Sequence, residues 1–341
     1  MNIIKLKDEL LIGTETEVKY IKVTNKSGAS MSLTNYGATL VSVVVPSRDG
    51  LLADVVLGFP RPEDYFEDEN YLGATIGRFA NRIANGTFVL DGKTFHVHTN
   101  DGAHSNHSGE YGFSNKIFRC YVEGNKAIFI LYSRVGEGGF PGDLQCSITY
   151  ELTDNNEILI NYQARSSEKT IVSFTNHAYF NLSGKHTDIL DHHLVIPSDK
   201  MLEMDNEYLP TGNIIPTKQN TFSGQRIAEV IADNNNKGLN NYYVLEKQYP
   251  KALVLAAELW HAPSCRRLKV FTDSYGVLLY TGDFLNTTML GHHGKPYNAF
   301  NGLCLECQHY PDAPNQHIAP PIVLEKGEIY QQKIIYQFDT I

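Results

Sequence analysis

The 341-residue sequence has no run of basic residues and carries a formal net charge of -9, with 29 lysines and arginines against 38 acidic residues. Such a chain offers little attraction to a phosphate backbone, so we expect no nucleic-acid partner. Residues 1–20 intersperse Lys, Glu and Asp among apolar residues, and they contain neither a signal-peptide core nor a membrane-spanning stretch. We therefore expect a cytoplasmic protein that does not bind membranes.

Cysteine is scarce and scattered, which argues against a disulfide framework and agrees with a reducing compartment. The cysteines are Cys120, Cys146, Cys265, Cys304 and Cys307. The spacing Cys304-x-x-Cys307 suggests a metal or redox pair, but residues three apart on a strand point to opposite faces. The pairs His192-His193 and His292-His293 lack the spacing of a helical zinc motif, and we interpret them as loop residues. No metal is expected.

The sequence also lacks a glycine-rich phosphate loop and a Gly-x-Ser-x-Gly nucleophile elbow, so no nucleotide cofactor is expected. Helical periodicity is rare. It predicts short helices around Pro62 to Glu67 and Gln225 to Ala232, the second capped by Ser223 or Thr221. No repeat and no linker rich in Pro, Gly or Ser divides the chain. Length alone leaves the domain count open, and this absence favours a single domain over residues 1–341.

What the sequence does have is period-two alternation. Apolar residues alternate with polar ones over 145–152 and again over 158–164, with turn residues between them, which predicts a hairpin. Two Asp-Gly dipeptides indicate two more tight turns between apolar runs. Asp49-Gly50 lies between residues 43–45 and 55–57, and Asp91-Gly92 lies between residues 88–90 and 95–97. We therefore predict an all-β fold, a large antiparallel β-sandwich with few short helices.

Three polar segments stand among these strands. Residues 77–83 (Gly-Arg-Phe-Ala-Asn-Arg-Ile) would, taken alone, be interpreted as a surface turn. His177 follows a strand and has the versatility of an imidazole at neutral pH, although a buried structural histidine is the simpler interpretation. Glu306 lies in an apolar strand, where an unpaired carboxylate is costly, so we interpret it as a base held for chemistry.

Taken together, these segments resemble the galactose mutarotase (aldose 1-epimerase) family across most of the chain and in the family's order. The similar blocks are residues 77–83, 107–109 with 112–113, 175–182, 209–212, Trp260 with 280–284, and 305–312 with 314–315. So many ordered blocks are far more specific than any one of them.

The resemblance implies a β-supersandwich with an open cleft, acting on a free hexose without metal or cofactor. It implies His177 as general acid, Glu306 as general base, and Arg82 and His107 as sugar-binding residues with Asn81 nearby. Acid and base on opposite sides of the hemiacetal would open the ring to an aldehyde, which re-closes as the other anomer. We expect Glu306 to be ionised and His177 protonated without any large pKa shift.

The sequence departs from the family pattern in two places. Asn240 stands where the family has an aspartate that binds sugar hydroxyls, and Leu278 stands where some members have a sugar-contacting glutamine. Both changes bear on substrate preference. Two other functions remain open: a hexose-6-phosphate 1-epimerase, which would need an arginine cluster, and a sugar-binding module without catalysis. The arginines available are Arg78, Arg82, Arg266 and Arg267.

Overall fold

The computed structural model describes residues 17–235 and 237–341. The expectation for residues 1–20 therefore falls largely outside the described residues. No helix in the described ranges is both long and apolar enough to span a membrane.

β-Strands dominate the described chain, as the alternation predicts. In chain order, β1 to β27 are Tyr20–Thr24, Ser30–Thr34, Thr39–Pro46, Leu52–Asp54, Thr75–Ile76, Arg82–Ile83, Thr87–Leu90, Lys93–His96, Ser105–Asn106, Arg119–Glu123, Lys126–Ser133, Leu144–Leu152, Glu157–Ser166, Thr170–Ile171, Thr175–Asn176, Tyr179–Phe180, His193–Val195, Lys200–Met204, Pro210–Pro216, Ser223–Arg226, Asn240–Val244, Val254–His261, Arg266–Thr272, Gly276–Tyr280, Leu303–Gln308, Val323–Leu324 and Ile329–Thr340.

These strands pair antiparallel in three larger sheets and four two-stranded ones. The largest sheet has nine strands in the order β10-β11-β12-β13-β27-β23-β22-β17-β20. A six-stranded sheet has the order β16-β25-β24-β21-β18-β19, and β1 to β4 form a four-stranded sheet. Apolar side chains from all three form one buried cluster that includes Met31, Ile148, Leu305 and Tyr336. The all-β sandwich prediction is confirmed.

Two of the three predicted hairpins have the expected bounds. β12 pairs with β13 from Leu144↔Ser166 to Leu152↔Ile158, and β7 pairs with β8 around Asp91-Gly92. The turn at Asp49-Gly50 leads instead into β4, Leu52–Asp54, which precedes the predicted partner at 55–57. The Asp54 carboxylate accepts hydrogen bonds from the backbone N–H groups of Val43 and Val56, and one further backbone bond, from Val55 N–H to the Val43 carbonyl, ends the ladder.

Helices are short. The α-helix α1, Ile227–Asp233, lies in the predicted region, but its N-cap is Arg226 without a side-chain cap, because β20 runs directly into the helix. The predicted segment Pro62–Glu67 is a 3-10 helix. The other 3-10 helices are Ala84–Gly86, Gly109–Tyr111, Phe113–Asn115, Glu137–Gly139, Lys218–Asn220, Ala262–Ser264 and Ala313–Asn315.

Candidate active site

An open cleft of about 420 Å³ lies over the six-stranded sheet. It brings together all six residues predicted for the site, from five separate parts of the chain. These are Asn81, Arg82, His107, His177, Asn240 and Glu306. The remaining lining residues are Glu69, Asn70, Tyr71, Asn106, Tyr179, Tyr208, Leu278, Tyr280, Phe284 and Asn286.

Glu306 is held at the floor of this cleft by strand β25. Alternation along the strand directs Glu306 toward the cleft and Cys307 into the main core, as the sequence predicts. The Glu306 side chain is 1% exposed, and its Oε2 atom has no hydrogen-bond partner within the described residues. A buried carboxylate oxygen without a partner is costly, so this atom is placed for a ligand rather than for stability.

His177 faces Glu306 across the cleft floor. Its Nε2 atom lies 3.6 Å from Oε1 of Glu306, and its Nδ1 atom lies 3.4 Å from Sγ of Cys304. The His177 backbone is fixed on both sides, because its N–H donates to Ala74 and its carbonyl accepts from the N–H of Gly73. At 3.6 Å the two groups are adjacent, so the expectation that they flank a hemiacetal from opposite sides is not met.

Burial shifts the two pKa values in opposite directions. It raises the pKa of Glu306 to about 8, against the opposing effect of the Arg82 guanidinium. It lowers the pKa of His177 to about 4, partly offset by a hydrogen bond to the histidine's own backbone. The expectation of no large shift is therefore wrong, since a low-dielectric site disfavours both charges. With these two pKa values the pair holds one exchangeable proton at neutral pH, and that proton resides on Glu306.

His107 is oriented by Asn81. The backbone N–H of Asn81 donates to Nδ1 of His107 at 3.1 Å, and the Asn81 carbonyl accepts from the His107 backbone N–H at 3.2 Å. Burial, with smaller contributions from His177 and Arg82, lowers the pKa of His107 well below its usual value. The imidazole is therefore neutral. Because Nδ1 accepts a hydrogen bond, the proton lies on Nε2, which makes that atom a hydrogen-bond donor.

Arg82 lines the wall of the cleft. Its Nε atom donates to Asp101 at 2.8 Å, and its guanidinium lies over the Tyr208 ring, 5.1 Å from the centroid. The backbone N–H of Arg82 also donates to the Asn81 side chain.

The segment 77–83 is buried, unlike the surface turn that its composition alone predicts. The reason is Arg78, whose guanidinium donates to the backbone carbonyls of 133, 134, 141 and 142.

Asn240 and Leu278 lie on neighbouring strands of the cleft floor. Asn240 pairs with Tyr280, and Leu278 pairs with Glu306. Asn240 lines the cleft whereas Asn241 does not. Leu278 therefore presents an apolar surface directly beside the carboxylate.

Sequence reasoning missed the loop that carries Tyr71. The ring of Tyr71 lies 4.9 Å from that of His107 and 5.7 Å from that of His177. The loop is held by Asp68, whose carboxylate accepts the backbone N–H groups of Asn70 and Leu72. An aromatic residue in a polar loop has no periodic signal, so nothing in the sequence marks it. Tyr208 was missed for the same reason.

His107, His177 and Glu306 have ligand atoms within 4.8 Å of one another, close enough to hold a metal ion. The hydrogen bonding does not fit one. A metal-binding histidine donates its other ring N–H, whereas Nδ1 of His107 accepts a bond from the N–H of Asn81. Ligation through Nε2 would then require a fully deprotonated ring. The arrangement suits proton transfer and sugar binding instead.

A second cluster, Asp191 with His192 and His261, is structural. Asp191 lies 3.2 Å from Nδ1 of His192 and 3.1 Å from Nε2 of His261. The remaining nitrogens accept backbone N–H groups, from Leu182 and Ser264. His193 begins β17, so the loop interpretation is wrong for His193, whereas His192 is a buried residue that precedes the strand. His292 and His293 lie in a turn, as interpreted. His193 was misassigned because a three-residue strand has no periodicity to detect in the sequence.

Comparisons with known proteins identify the family of this chain. The family model for aldose 1-epimerase matches residues 19–337. The chain belongs to the aldose 1-epimerase family. It is 38% identical over 314 residues to galactose mutarotase from Homo sapiens, covering 91% of each chain. It is 34% identical over 330 residues to aldose 1-epimerase from Escherichia coli, covering 94% of this chain and 95% of that one.

Solved structures of aldose epimerases have the same fold. An aldose epimerase homologue from C. elegans matches with a TM-score of 0.90 at 30% identity, over 95% of this chain and all of the other. Galactose 1-epimerase from Lactobacillus acidophilus matches with a TM-score of 0.80 at 25% identity, over 95% of this chain and 99% of that one. The galactose-mutarotase-like supersandwich implied by the resemblance is confirmed.

Proposed function

We propose that this member of the aldose 1-epimerase family interconverts the α and β anomers of a free hexose such as galactose or glucose. The observation that carries the proposal is the pair formed by His177 Nε2 and Glu306 Oε1, 3.6 Å apart at the floor of an open polar cleft. A hemiacetal has its ring oxygen and its hydroxyl on the same carbon. Two adjacent proton-exchanging groups can reach both oxygens at once.

The reaction requires one acid and one base. Glu306 takes the proton of the C1 hydroxyl while His177 protonates the ring oxygen, and the C1–O5 bond breaks to give an aldehyde. Rotation about C1–C2 presents the other carbonyl face, and the reverse proton transfers close the ring. The resting proton on Glu306 has to move to His177 before ring opening. Nε2 and Oε1 are 3.6 Å apart, so this transfer requires the two side chains to approach by several tenths of an ångström to hydrogen-bond distance.

The other polar groups hold the sugar. The Nε2–H of His107 donates a hydrogen bond to a sugar oxygen, and the Arg82 guanidinium, fixed by Asp101, donates to another. Such fixed geometry supplies part of the rate enhancement. Asn81 acts by orienting His107. Asn240 accepts from a sugar hydroxyl, in place of the aspartate that the family pattern has.

The positions of the arginines give little support to the alternative function, a hexose-6-phosphate 1-epimerase. Arg78 and Arg266 are buried and bonded to backbone carbonyls, and Arg267 pairs with Asp339. Only Arg82 of the four lines the cleft, and it already has Asp101 as its partner. A phosphate group needs several unpaired donors.

The test is polarimetry of freshly dissolved α-galactose and α-glucose with and without the protein. We expect the approach to equilibrium to be accelerated for at least one of them. Glucose 6-phosphate is the control substrate. If the protein accelerates mutarotation of glucose 6-phosphate more than that of either free sugar, the result would favour a hexose-6-phosphate 1-epimerase.

Glu306→Gln distinguishes an enzyme from a sugar-binding module. The amide fills the same space but cannot accept the C1 hydroxyl proton, so we expect the rate to fall roughly 10²- to 10⁴-fold while the fold is kept. The measurement is kcat by polarimetry, with circular dichroism to check folding. Retention of more than about a tenth of the wild-type kcat would remove Glu306 from the mechanism.

We also propose a single cytoplasmic domain with no macromolecular partner in the reaction. The buried core that spans Val23 to Phe338 supports the single domain. The net charge of -9 supports the absence of a nucleic-acid partner.

A further inference from the structure

Cys304 lies against the histidine of the proposed pair, yet the mechanism above does not use it. Its side chain is fully buried, and Sγ lies 3.4 Å from Nδ1 of His177. Cys304 pairs with Tyr179 across β25 and β16, so it sits opposite the strand that begins two residues after His177. Cys304 and Glu306 share one face of β25. The thiol therefore meets one ring nitrogen of His177 and the carboxylate faces the other.

We propose that Cys304 is a positioning residue that accepts a hydrogen bond from Nδ1–H of His177, so that Nε2 is the nitrogen that exchanges protons. The inference rests on the proposed function. During anomerisation Nε2 of His177 gains and loses a proton, so Nδ1 must keep its hydrogen throughout. A histidine tautomer is fixed by the bond that its other nitrogen makes.

The chemistry of sulfur suits this role. Burial raises the pKa of the Cys304 thiol well above its usual value, so the group is a neutral thiol and a weak acceptor. A carboxylate at this position would stabilise the imidazolium and raise the pKa of His177. A neutral thiol orients the imidazole ring without raising the pKa of His177.

The pH behaviour of His177 also depends on the other groups that face it. Glu306 lies 3.6 Å from Nε2. Three aromatic rings surround the imidazole, those of His107 at 5.4 Å, Tyr71 at 5.7 Å and Tyr179 at 5.2 Å. The tyrosines are neutral near pH 7 because burial raises the pKa of each. His107 is neutral as well, so Glu306 is the one group of this set that exchanges protons with His177.

The kinetic test compares Cys304→Ala and Cys304→Ser. We expect Cys304→Ala to lower kcat about 10-fold with little change in KM, by analogy with the partners that orient metal-binding histidines, whose loss costs about 10- to 100-fold. Cys304→Ser keeps an acceptor and should recover most of the lost kcat. The acidic limb of the pH profile should shift in the alanine variant and return in the serine variant.

Cys307→Ser is the matched control. Cys307 is fully buried on the same strand, but it faces the main core and makes no contact with His177. The same exchange of sulfur for oxygen there should leave kcat and the pH profile unchanged. Unchanged kcat and pH profile in Cys304→Ala would overturn the proposal.

A second measurement does not depend on activity. The ¹⁵N shifts of labelled histidines, with His177→Asn to assign the signal, report the His177 tautomer in the wild-type protein near neutral pH. We expect Nδ1–H, and a hydrogen on Nε2 would contradict the proposal even if Cys304→Ala failed to fold. A wild-type protein with the Nδ1–H tautomer but no mutarotation would instead refute the proposed function and leave the positioning role standing.

Discussion

Glu306 and His177 together hold one proton between the two pKa values that burial gives them, about 8 and about 4. As the pH falls through the lower pKa, His177 also becomes protonated. The pair then holds two protons, and no base remains. As pH rises through the upper value, Glu306 loses the shared proton and no acid remains. The apparent values belong to the coupled pair.

We therefore predict a bell-shaped profile of kcat/KM with limbs near pH 4 and pH 8. The measurement is initial-rate polarimetry from about pH 3 to about pH 10, a range that passes both values, with the spontaneous rate subtracted at each pH. Urea unfolding at the extremes checks that the protein remains folded. A profile that is level throughout this range would contradict the assignment of either residue.

Asn240 offers a neutral acceptor where the family pattern has a carboxylate. Charge-assisted hydrogen bonds are roughly twice as strong as neutral ones, so we expect Asn240→Asp to lower KM for galactose or glucose between a few-fold and about tenfold. The value of kcat should change little, because this contact acts on the ground and transition states alike.

Asn241→Asp is the control for this prediction, since Asn241 does not line the cleft. If Asn240→Asp and Asn240→Ala both leave KM for every hexose unchanged, Asn240 does not contact the sugar.

At the residue scale, the six residues predicted from the sequence lie together, whereas the pKa values expected for two of them were wrong. Asn81, Arg82, His107, His177, Asn240 and Glu306 all line one cleft. The pKa values of Glu306 and His177 were misjudged because reference values hold for solvated groups, and burial is set by neighbours distant in sequence. Cys304 was assessed only as half of a metal or redox pair with Cys307, because its contact with His177 arises from strand pairing, which its spacing does not show.

Among the elements, the segment from Gly77 to Ile83 depends on Arg78. The guanidinium is 2% exposed and donates to four backbone carbonyls as well as to the hydroxyl of Ser133. Arg78→Met should lower the free energy of unfolding by roughly 3 kcal/mol or more, because each buried carbonyl left unpaired costs about 1–3 kcal/mol.

The measurement is urea unfolding followed by circular dichroism. Arg267→Met is the control, because Arg267 forms a partly exposed ion pair with Asp339, and such surface pairs contribute about 1 kcal/mol or less. Equal losses in the two variants would show that burial of Arg78 does not stabilise this segment.

Strand periodicity predicted the elements that are long and regular. Apolar and polar residues alternate over most of β12 and β13, and their hairpin was predicted within a residue or two. Two-residue strands such as β15 and β16, which flank His177, have no periodicity to detect. The surface-turn interpretation of 77–83 was wrong because composition cannot report that backbone carbonyls surround Arg78.

For the molecule as a whole, we predict that activity survives exhaustive treatment with EDTA. The Asn81 N–H bond to His107 Nδ1 leaves Nε2 as a donor, so the cluster of His107, His177 and Glu306 does not favour a metal ion. The measurement is polarimetry before and after chelation. A loss of activity that added zinc restores would contradict the metal-free mechanism.

Strand β27, Ile329–Thr340, follows every other described strand in the sequence but lies in the middle of the nine-stranded sheet, between β13 and β23. During synthesis the two halves of that sheet emerge from the ribosome with facing edges unpaired, since Ile334 joins both Ile160 and Thr272. Pairing across such sequence separations is slow, and open strand edges are templates for aggregation. Until β27 pairs, the edges of β13 and β23 that it covers therefore remain open to strands of other chains.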